Sequence, residues 1–249
     1  MIQLAFSKPT NEEDARVLFK SFHKIGYDGL QLKAGQYTPY LNEPERFLNE
    51  WGRYPGAASA LITWGPLNEA GVGRLRSVFR FGKAVGSEMV IFCHDAPREQ
   101  LSSGDIRGFA REISELGKEA QDCGLRLSLH NHYGQPVMHR EDFGIFFDAV
   151  GEDTVGLTLD TAHLVKSGVR DIAGVIREMR NVIDNFHLKD FRDGQFEVLG
   201  KGEIDFKPVF AAIREIGYDG WVSTDEESGA ALLPAMETCY EFMADGLDL

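Results

Sequence analysis

The chain has 249 residues, 43% hydrophobic and 26% charged, with a formal net charge of −13. That composition supports a large buried core, while the charge offers no general attraction to phosphate backbones or acidic bilayers, which argues against nucleic-acid and membrane partners. Three scattered cysteines without metal-knuckle spacing read as reduced thiols. Met1–Lys8 turns polar too soon for a secretory leader, so a cytoplasmic protein is expected.

In chain order, Ile2–Phe6 reads as a strand. Thr10 with Glu13 suggests a capping box for a helix over Asn11–Ile25, in which Ala15, Leu18, Phe19, Phe22 and Ile25 recur at helical spacing. Gly26 ends that helix and Gly29–Lys33 is the second strand. The segment Ile25-Gly26-Tyr27-Asp28-Gly29 recurs letter for letter as Ile216-Gly217-Tyr218-Asp219-Gly220. Both copies follow an amphipathic helix and precede an apolar run. A glycine there can adopt the left-handed conformation that turns a helix end into a strand; Gly86 and Gly124 stand in equivalent places.

Further strands are expected at Ala58–Trp64, Glu88–His94, Leu125–His130, Val155–Asp160, Val182–Leu188 and Gly220–Asp225. The helices between and after them are expected at Glu43–Trp51, Glu69–Val85, Gly104–Asp122, Arg140–Val150, Asp171–Asn181, Phe206–Ile216 and Leu232–Asp245. Ala34–Pro39 and Arg192–Asp205 read as long connections on the face where strands end. Eight strand–helix units in roughly 250 residues predict an α/β protein, a (β/α)8 TIM barrel in a single domain over 1–249. The competing doubly wound sheet would carry a glycine-rich loop after its first strand, where this chain has Ser7-Lys8-Pro9-Thr10.

Four apolar runs end in imidazole or carboxylate: His130-Asn131-His132, Asp160-Thr161-Ala162-His163, His187-Leu188-Lys189-Asp190 and Asp225-Glu226-Glu227. Such groups at buried strand ends cost desolvation energy unless paired or bound to metal. In a barrel these ends converge on one mouth, so His130, Asp160, His187 and Asp225 are expected to ligate one divalent cation: Mn, Co, Zn, Fe or Mg rather than Ca. The ordinary alternative is four imidazoles and carboxylates that merely cap strands. His132, His163, His94, Trp64 and Arg192 are expected to contact substrate; His132, His163 and Asp190 could instead orient the ligands. Phe6 either shares a pocket wall with Trp64 or plugs the barrel. Lys33, Lys189, Arg192 and Lys201 offer positive charge at the rim, although a solvated surface lysine is the default and only Lys189, close behind His187, stands out. Neither a dinucleotide fingerprint nor a P-loop is present. Gly200-Lys201-Gly202 is only superficially like a phosphate loop.

Together with Gly200-Lys201-Gly202-Glu203-Ile204-Asp205 and Gly217-Tyr218-Asp219-Gly220-Trp221, the four strand-end motifs resemble the xylose isomerase-like TIM barrels. Within them the chain is similar to the sugar phosphate isomerase/epimerase group, which includes ketose 3-epimerases, hydroxypyruvate isomerases and inosose dehydratases. The resemblance implies a metal-dependent enzyme acting on a sugar, sugar phosphate or polyol, with Asp160 and His187 at family ligand positions. The chain departs where the family's epimerases commonly place glutamates at the ends of strands five and eight; His130 and Asp225 stand there, and Glu226 or Glu227 could take over the second role. The expected activity is isomerisation or epimerisation through an enediolate, with His130, Asp225 or Glu226 carrying protons and Lys189 steadying negative charge. The alternatives are dehydration of an inosose-type keto-polyol, with His132 or His163 as acid, and a non-catalytic sugar-binding barrel. Abasic-site nuclease chemistry is disfavoured by the acidic charge and the histidine-free third strand. Assembly into a homo-oligomer is compatible with the sequence.

Overall fold

The computed structural model describes residues 1–249. Its elements run β1 (Gln3–Ser7), α1 (Glu12–Ile25), β2 (Gly29–Leu32), α2 (Ala34–Tyr37), a 3₁₀ turn (Thr38–Tyr40), α3 (Pro44–Trp51), β3 (Ala60–Gly65), α4 (Glu69–Val85), β4 (Met89–His94) and α5 (Ser103–Asp122). They continue with β5 (Arg126–His130), α6 (Arg140–Phe147), β6 (Gly156–Asp160), α7 (Thr161–Lys166), α8 (Ile172–Glu178), β7 (Ile183–Leu188), β8 (Asp190–Arg192), β9 (Gln195–Glu197), α9 (Phe206–Glu215), β10 (Trp221–Asp225) and α10 (Leu232–Leu247). Eight strands close into a parallel barrel in the order β1-β10-β7-β6-β5-β4-β3-β2, and β8 and β9 form a separate antiparallel hairpin. The expected (β/α)8 barrel is therefore the observed one.

The helices form where the apolar stripe predicts them. On α1, Leu18, Phe19 and Phe22 face inward, with Glu12, Glu13 and Asp14 in the first turn and His23 and Lys24 in the last, complementing the helix dipole. The capping differs from expectation. Asn11 accepts from the Asp14 N–H at 2.8 Å, whereas the Thr10 hydroxyl accepts from Gln36 Nε2 at 2.8 Å. The repeated helix-to-strand turn behaves as read, with φ of +125° at Gly26 and +66° at Gly217. Where loops were expected, Ala34–Tyr40 winds into helical turns, Thr161–Lys166 forms α7, and Arg192–Asp205 contributes the hairpin's second half. These segments are too short to show a sequence period.

Two apolar layers hold the barrel. The main core lies between strands and helices; a second cluster of Ala60, Ile62, Met89 and Ile91 lies apart from it. Side chains alternate across a strand, and the register pairs Ala60 with Met89, Ile62 with Ile91, Trp64 with Cys93 and Ile91 with Ser128. The same row continues through Thr158, which pairs with His130 and with Asn185, and on to Ser7 opposite Asp225. Gln31 on β2 reaches Asn185 on β7, with Nε2 to Oδ1 at 2.8 Å. Those strands stand three apart around the wall, so their side chains meet across the lumen and fix this row as the inward one. Phe6 belongs to the other row. It is buried against Tyr27, ring centroids 5.4 Å apart, and takes no part in a pocket wall.

Candidate functional site

At the strand ends the inward row becomes ionisable. His130 closes β5, Asp160 closes β6, His187 lies near the end of β7 and Asp225 closes β10. All four are buried, and one ligand atom from each lies within 4.8 Å of the others. His130 Nε2 is 3.5 Å from Asp160 Oδ2, and His187 Nδ1 is 3.8 Å from Asp225 Oδ2. Asp160 Oδ2 and His187 Nδ1 are buried without a hydrogen-bond partner, as is His130 Nδ1. Buried polar atoms left unmatched are costly and rare in native proteins. Two nitrogens and two carboxylates converging with lone pairs to spare fit a first-row divalent cation.

The surroundings fix each of these groups. His187 Nε2 is 2.7 Å from Gln31 Oε1. An amide oxygen only accepts, so this nitrogen carries the proton and Nδ1 presents its lone pair to the cluster. Gln31 is itself oriented through Nε2 to Asn185 Oδ1. Asp160 Oδ1 accepts the His163 N–H at 2.8 Å, which leaves Oδ2 for the cluster, and the Asn131 side chain brackets the Asp160 backbone from both sides. Burial opposes a charge on His130, but Cys93 and the Asp160 carboxylate outweigh it and bring its pKa up to about 10. Burial also pushes His187 well below the usual imidazole value.

Two lysines join this layer. Lys189 Nζ is buried, 2.7 Å from Asp225 Oδ2, 2.8 Å from Glu227 Oε2 and 3.7 Å from Asp160 Oδ2. Lys33 Nζ lies 2.5 Å from Asp225 Oδ1 and 2.9 Å from Glu227 Oε1. Lys33 is thus an integral ion pair rather than the solvated lysine that is the sequence default. Burial alone would raise the Asp225 pKa; the two ammonium groups reverse that and hold it well below the carboxylate range.

His132 and His163 stack beside His130, their own centroids 3.8 Å apart and that of His163 5.5 Å from His130. Tyr133 sets both tautomers. Its carbonyl lies 2.8 Å from His132 Nδ1, which must therefore donate, and its N–H donates to His163 Nδ1 at 3.3 Å. The result is a lone pair on His132 Nε2 and a proton on His163 Nε2, the latter buried with no partner. Burial lowers the His132 pKa to about 4, and burial with the nearby Lys189 charge lowers that of His163 well below its usual value.

Other expected residues stand elsewhere. Glu226 points to the outer side of β10, where Lys8 Nζ holds it at 2.8 Å and the Ser228 hydroxyl donates to it. Glu227, not Glu226, reaches the lysines of the mouth. His94 lies on the outward row against Phe109, ring centroids 4.6 Å apart, and its Nδ1 accepts the Ala96 N–H. Arg192 is spent on Glu197 at 2.8 Å on the exposed hairpin. Asp190 neither ligates nor touches the cluster: its carboxylate accepts the backbone N–H groups of Phe191, Gly200, Gly202 and Ile204. The Gly200-Lys201-Gly202 run is therefore a cradle for a carboxylate of the chain itself, and a Cβ on Gly202 would sit 2.2 Å from Asp190 Oδ1. Trp64 stands near the downstream end of β3, in register with Cys93, and is 63% exposed. Gln31, Asn185, Cys93 and Phe196 were not singled out from sequence. Only Gln31 and Asn185 carried a hint there, as polar residues inside apolar strands.

Comparison with known proteins agrees with this arrangement. Among curated relatives, the inosose dehydratase of Clostridium beijerinckii is 31% identical over 144 residues, covering 50% of this chain and 48% of that protein. That of Lacticaseibacillus casei is 32% identical over 141 residues, covering 49% and 47%. The match thus spans about half the length of these curated relatives. Among solved structures, the probable 3-DHS dehydratase AsbF of Bacillus anthracis superposes with a TM-score of 0.81 at 11% identity, over 97% of this chain and 98% of that one. L-ribulose 3-epimerase gives 0.81 at 17% identity over 100% and 95%, and the IolI protein, solved with a zinc atom, gives 0.78 at 20% over 99% and 98%. At these identities the structural likeness establishes the barrel. The family model described as xylose isomerase-like TIM barrel matches residues 19–239, nearly the whole barrel with all four converging side chains, and the chain belongs to that family.

Proposed function

We propose that this protein is a divalent-metal-dependent dehydratase of a keto-polyol of the inosose type. The convergence of His130, Asp160, His187 and Asp225, with Asp160 Oδ2 and His187 Nδ1 buried and unpartnered, is the observation that carries the metal. The curated relatives carry the reaction type: both are inosose dehydratases. This favours dehydration over the isomerase or epimerase reading that the family resemblance first suggested, and the absence of glutamates at the ends of β5 and β10 points the same way. The zinc in the IolI protein supports a cation in a barrel of this shape.

His130 Nε2, Asp160 Oδ2, His187 Nδ1 and an Asp225 oxygen would hold the ion. A divalent cation there would polarise the substrate carbonyl and its neighbouring hydroxyl, making the adjacent C–H more acidic. Lys33 and Lys189 set two positive charges against the three negative charges of Asp160, Asp225 and Glu227. With a divalent cation in place the set would carry one net positive charge, matching one negative charge on an enediolate. Lys189, locked by its carboxylates, steadies that charge without moving.

The proton carriers are not the ones the family resemblance suggested. His130 and Asp225 are committed to the cluster and Glu226 to Lys8, which leaves His132 and His163. The lone pair of His132 Nε2 takes the proton from carbon next to the carbonyl. The imidazolium so formed on His132 gives that proton to the hydroxyl on the following carbon, which the His163 Nε2–H holds by a hydrogen bond; the C–O bond breaks, a C=C bond forms, water departs and both imidazoles end neutral. Two imidazoles stacked 3.8 Å apart suit removal of H and OH from the same face. Both are neutral at pH 7, the state this division of labour requires.

The test is incubation with an inosose and Mn in deuterated buffer, followed by NMR. Loss of water, abolished by chelation and restored by Mn or Co, is the expected result. His163→Gln should lower kcat by about 10²- to 10⁴-fold with metal affinity retained. Deuterium incorporation with an isomerised or epimerised product and no loss of water would establish the epimerase reading instead. Full activity after complete metal removal would remove the cation from the mechanism.

A further inference from the structure

The chain has three tryptophans, and two are structural. Trp51 is buried and stacks on Phe19 at 4.4 Å; Trp221 is buried with its indole N–H donated to Glu88 at 2.9 Å. Trp64 is unlike them: it is 63% exposed and its indole N–H makes no hydrogen bond in the chain. Its position is set by the register. It continues the inward row Ala60–Ile62 on β3 and pairs with Cys93 on β4, the strand beside β5, which bears His130. Neighbouring strands lie about 4.8 Å apart, so the indole stands at the mouth two strands, or roughly 10 Å, from His130. An exposed indole on the inward row faces the substrate space rather than a helix.

The rest of the mouth shows what this face would meet. One side is a buried polar cluster: His130, Asp160, His187 and Asp225, with the unpartnered N–H of His163 Nε2 beside them. Through a bound cation and that N–H, this side calls for oxygens. Trp64 presents a flat apolar surface with a negative π face, which favours C–H groups carrying slight positive charge. A substrate that satisfies both must be polar at one edge and present a lasting C–H face beside it. A cyclic polyol ketone does so, because its ring holds the C–H bonds in place. An open-chain ketose does not: its carbons rotate freely, and freezing them against the indole costs conformational entropy.

We propose that Trp64 is the stacking platform that selects a ring-shaped keto-polyol over an open-chain ketose. This rests on the dehydratase reading for the identity of the ring, although stacking itself requires no turnover. The test uses the Mn-loaded, full-length protein and acrylamide quenching of tryptophan fluorescence. Because Trp51 and Trp221 are buried, quenching reports on Trp64. Inosose is expected to shield Trp64 and ribulose is not. Trp64→Ala should weaken inosose binding about tenfold by calorimetry and leave ribulose binding unaffected, and Trp64→Phe should recover most of the loss.

Inosose that fails to bind, inosose that binds without shielding Trp64, or equal shielding by ribulose would each overturn the proposal. So would shielding that grows with protein concentration alone, which would make Trp64 a contact between copies of the chain. Shielding by inosose without loss of water would leave the stacking platform intact and remove only the dehydratase reading.

Discussion

The clearest residue-scale lesson is that His187 depends on a side chain from the far side of the barrel. Gln31 accepts its Nε2 proton at 2.7 Å and thereby aims Nδ1 at the cluster, while Asn185 keeps the Gln31 amide from flipping. Partners of this kind typically contribute 10- to 100-fold in metal affinity. Gln31→Leu is therefore expected to weaken Mn or Zn binding by about that factor, measured by calorimetry on folded protein; Gln31→Glu, which restores an acceptor, should recover much of it. The four converging residues were legible because each terminates an apolar run. Gln31 was not, because its role appears only when β2 and β7 face each other across the lumen, 156 residues apart in the case of Gln31 and His187. His94 and Glu226 show the converse. Both close or follow a strand as the ligands do, but they fall on the outward row, and a shift of one residue moves a side chain to the opposite face of the wall.

At the scale of elements, the β8–β9 hairpin follows β7 directly, and Asp190 ties both of its ends to the barrel with four backbone hydrogen bonds. The hairpin then lays Phe196 against His163, centroids 5.1 Å apart, and under the Lys189 ammonium, 4.6 Å from the ring centroid. Asp190→Asn would replace one oxygen with a donor facing two N–H groups. A loss of about 3 kcal/mol in unfolding free energy is expected from denaturant titration, with faster amide exchange at Gly200, Gly202 and Ile204. The sequence exposed the glycines of this loop but not their purpose. A glycine pair beside a lysine suits a phosphate or a carboxylate equally, and only the fold shows Asp190 already seated there.

For the whole molecule, the buried imidazoles make stability depend on pH in both directions once the cation is stripped. Burial lowers the pKa values of His132, His163 and His187, that of His132 to about 4. An unfolded imidazole takes up its proton near 6.5, so below about pH 6.5 the unfolded chain binds more protons than the folded one and stability falls as pH falls. His130 acts oppositely. Its folded pKa of about 10 lies above the unfolded value; its contribution is complete below about pH 6.5 and is lost as pH rises through about 10. Urea midpoints of chelated protein should peak at about pH 7 and decline on both sides.

The sequence by itself determined the barrel, the order of its strands and helices, and the four side chains that converge at its mouth. Those follow from local signals: helical and strand periods, glycines at helix ends, and ionisable groups at the downstream ends of apolar runs. Only the tertiary structure decided which strand-end residues share the lumen, which lysines are locked in ion pairs, and which tautomer each of His132 and His163 adopts. Each of those depends on register and on contacts between residues remote in sequence, and a barrel creates them only when its first and last strands meet.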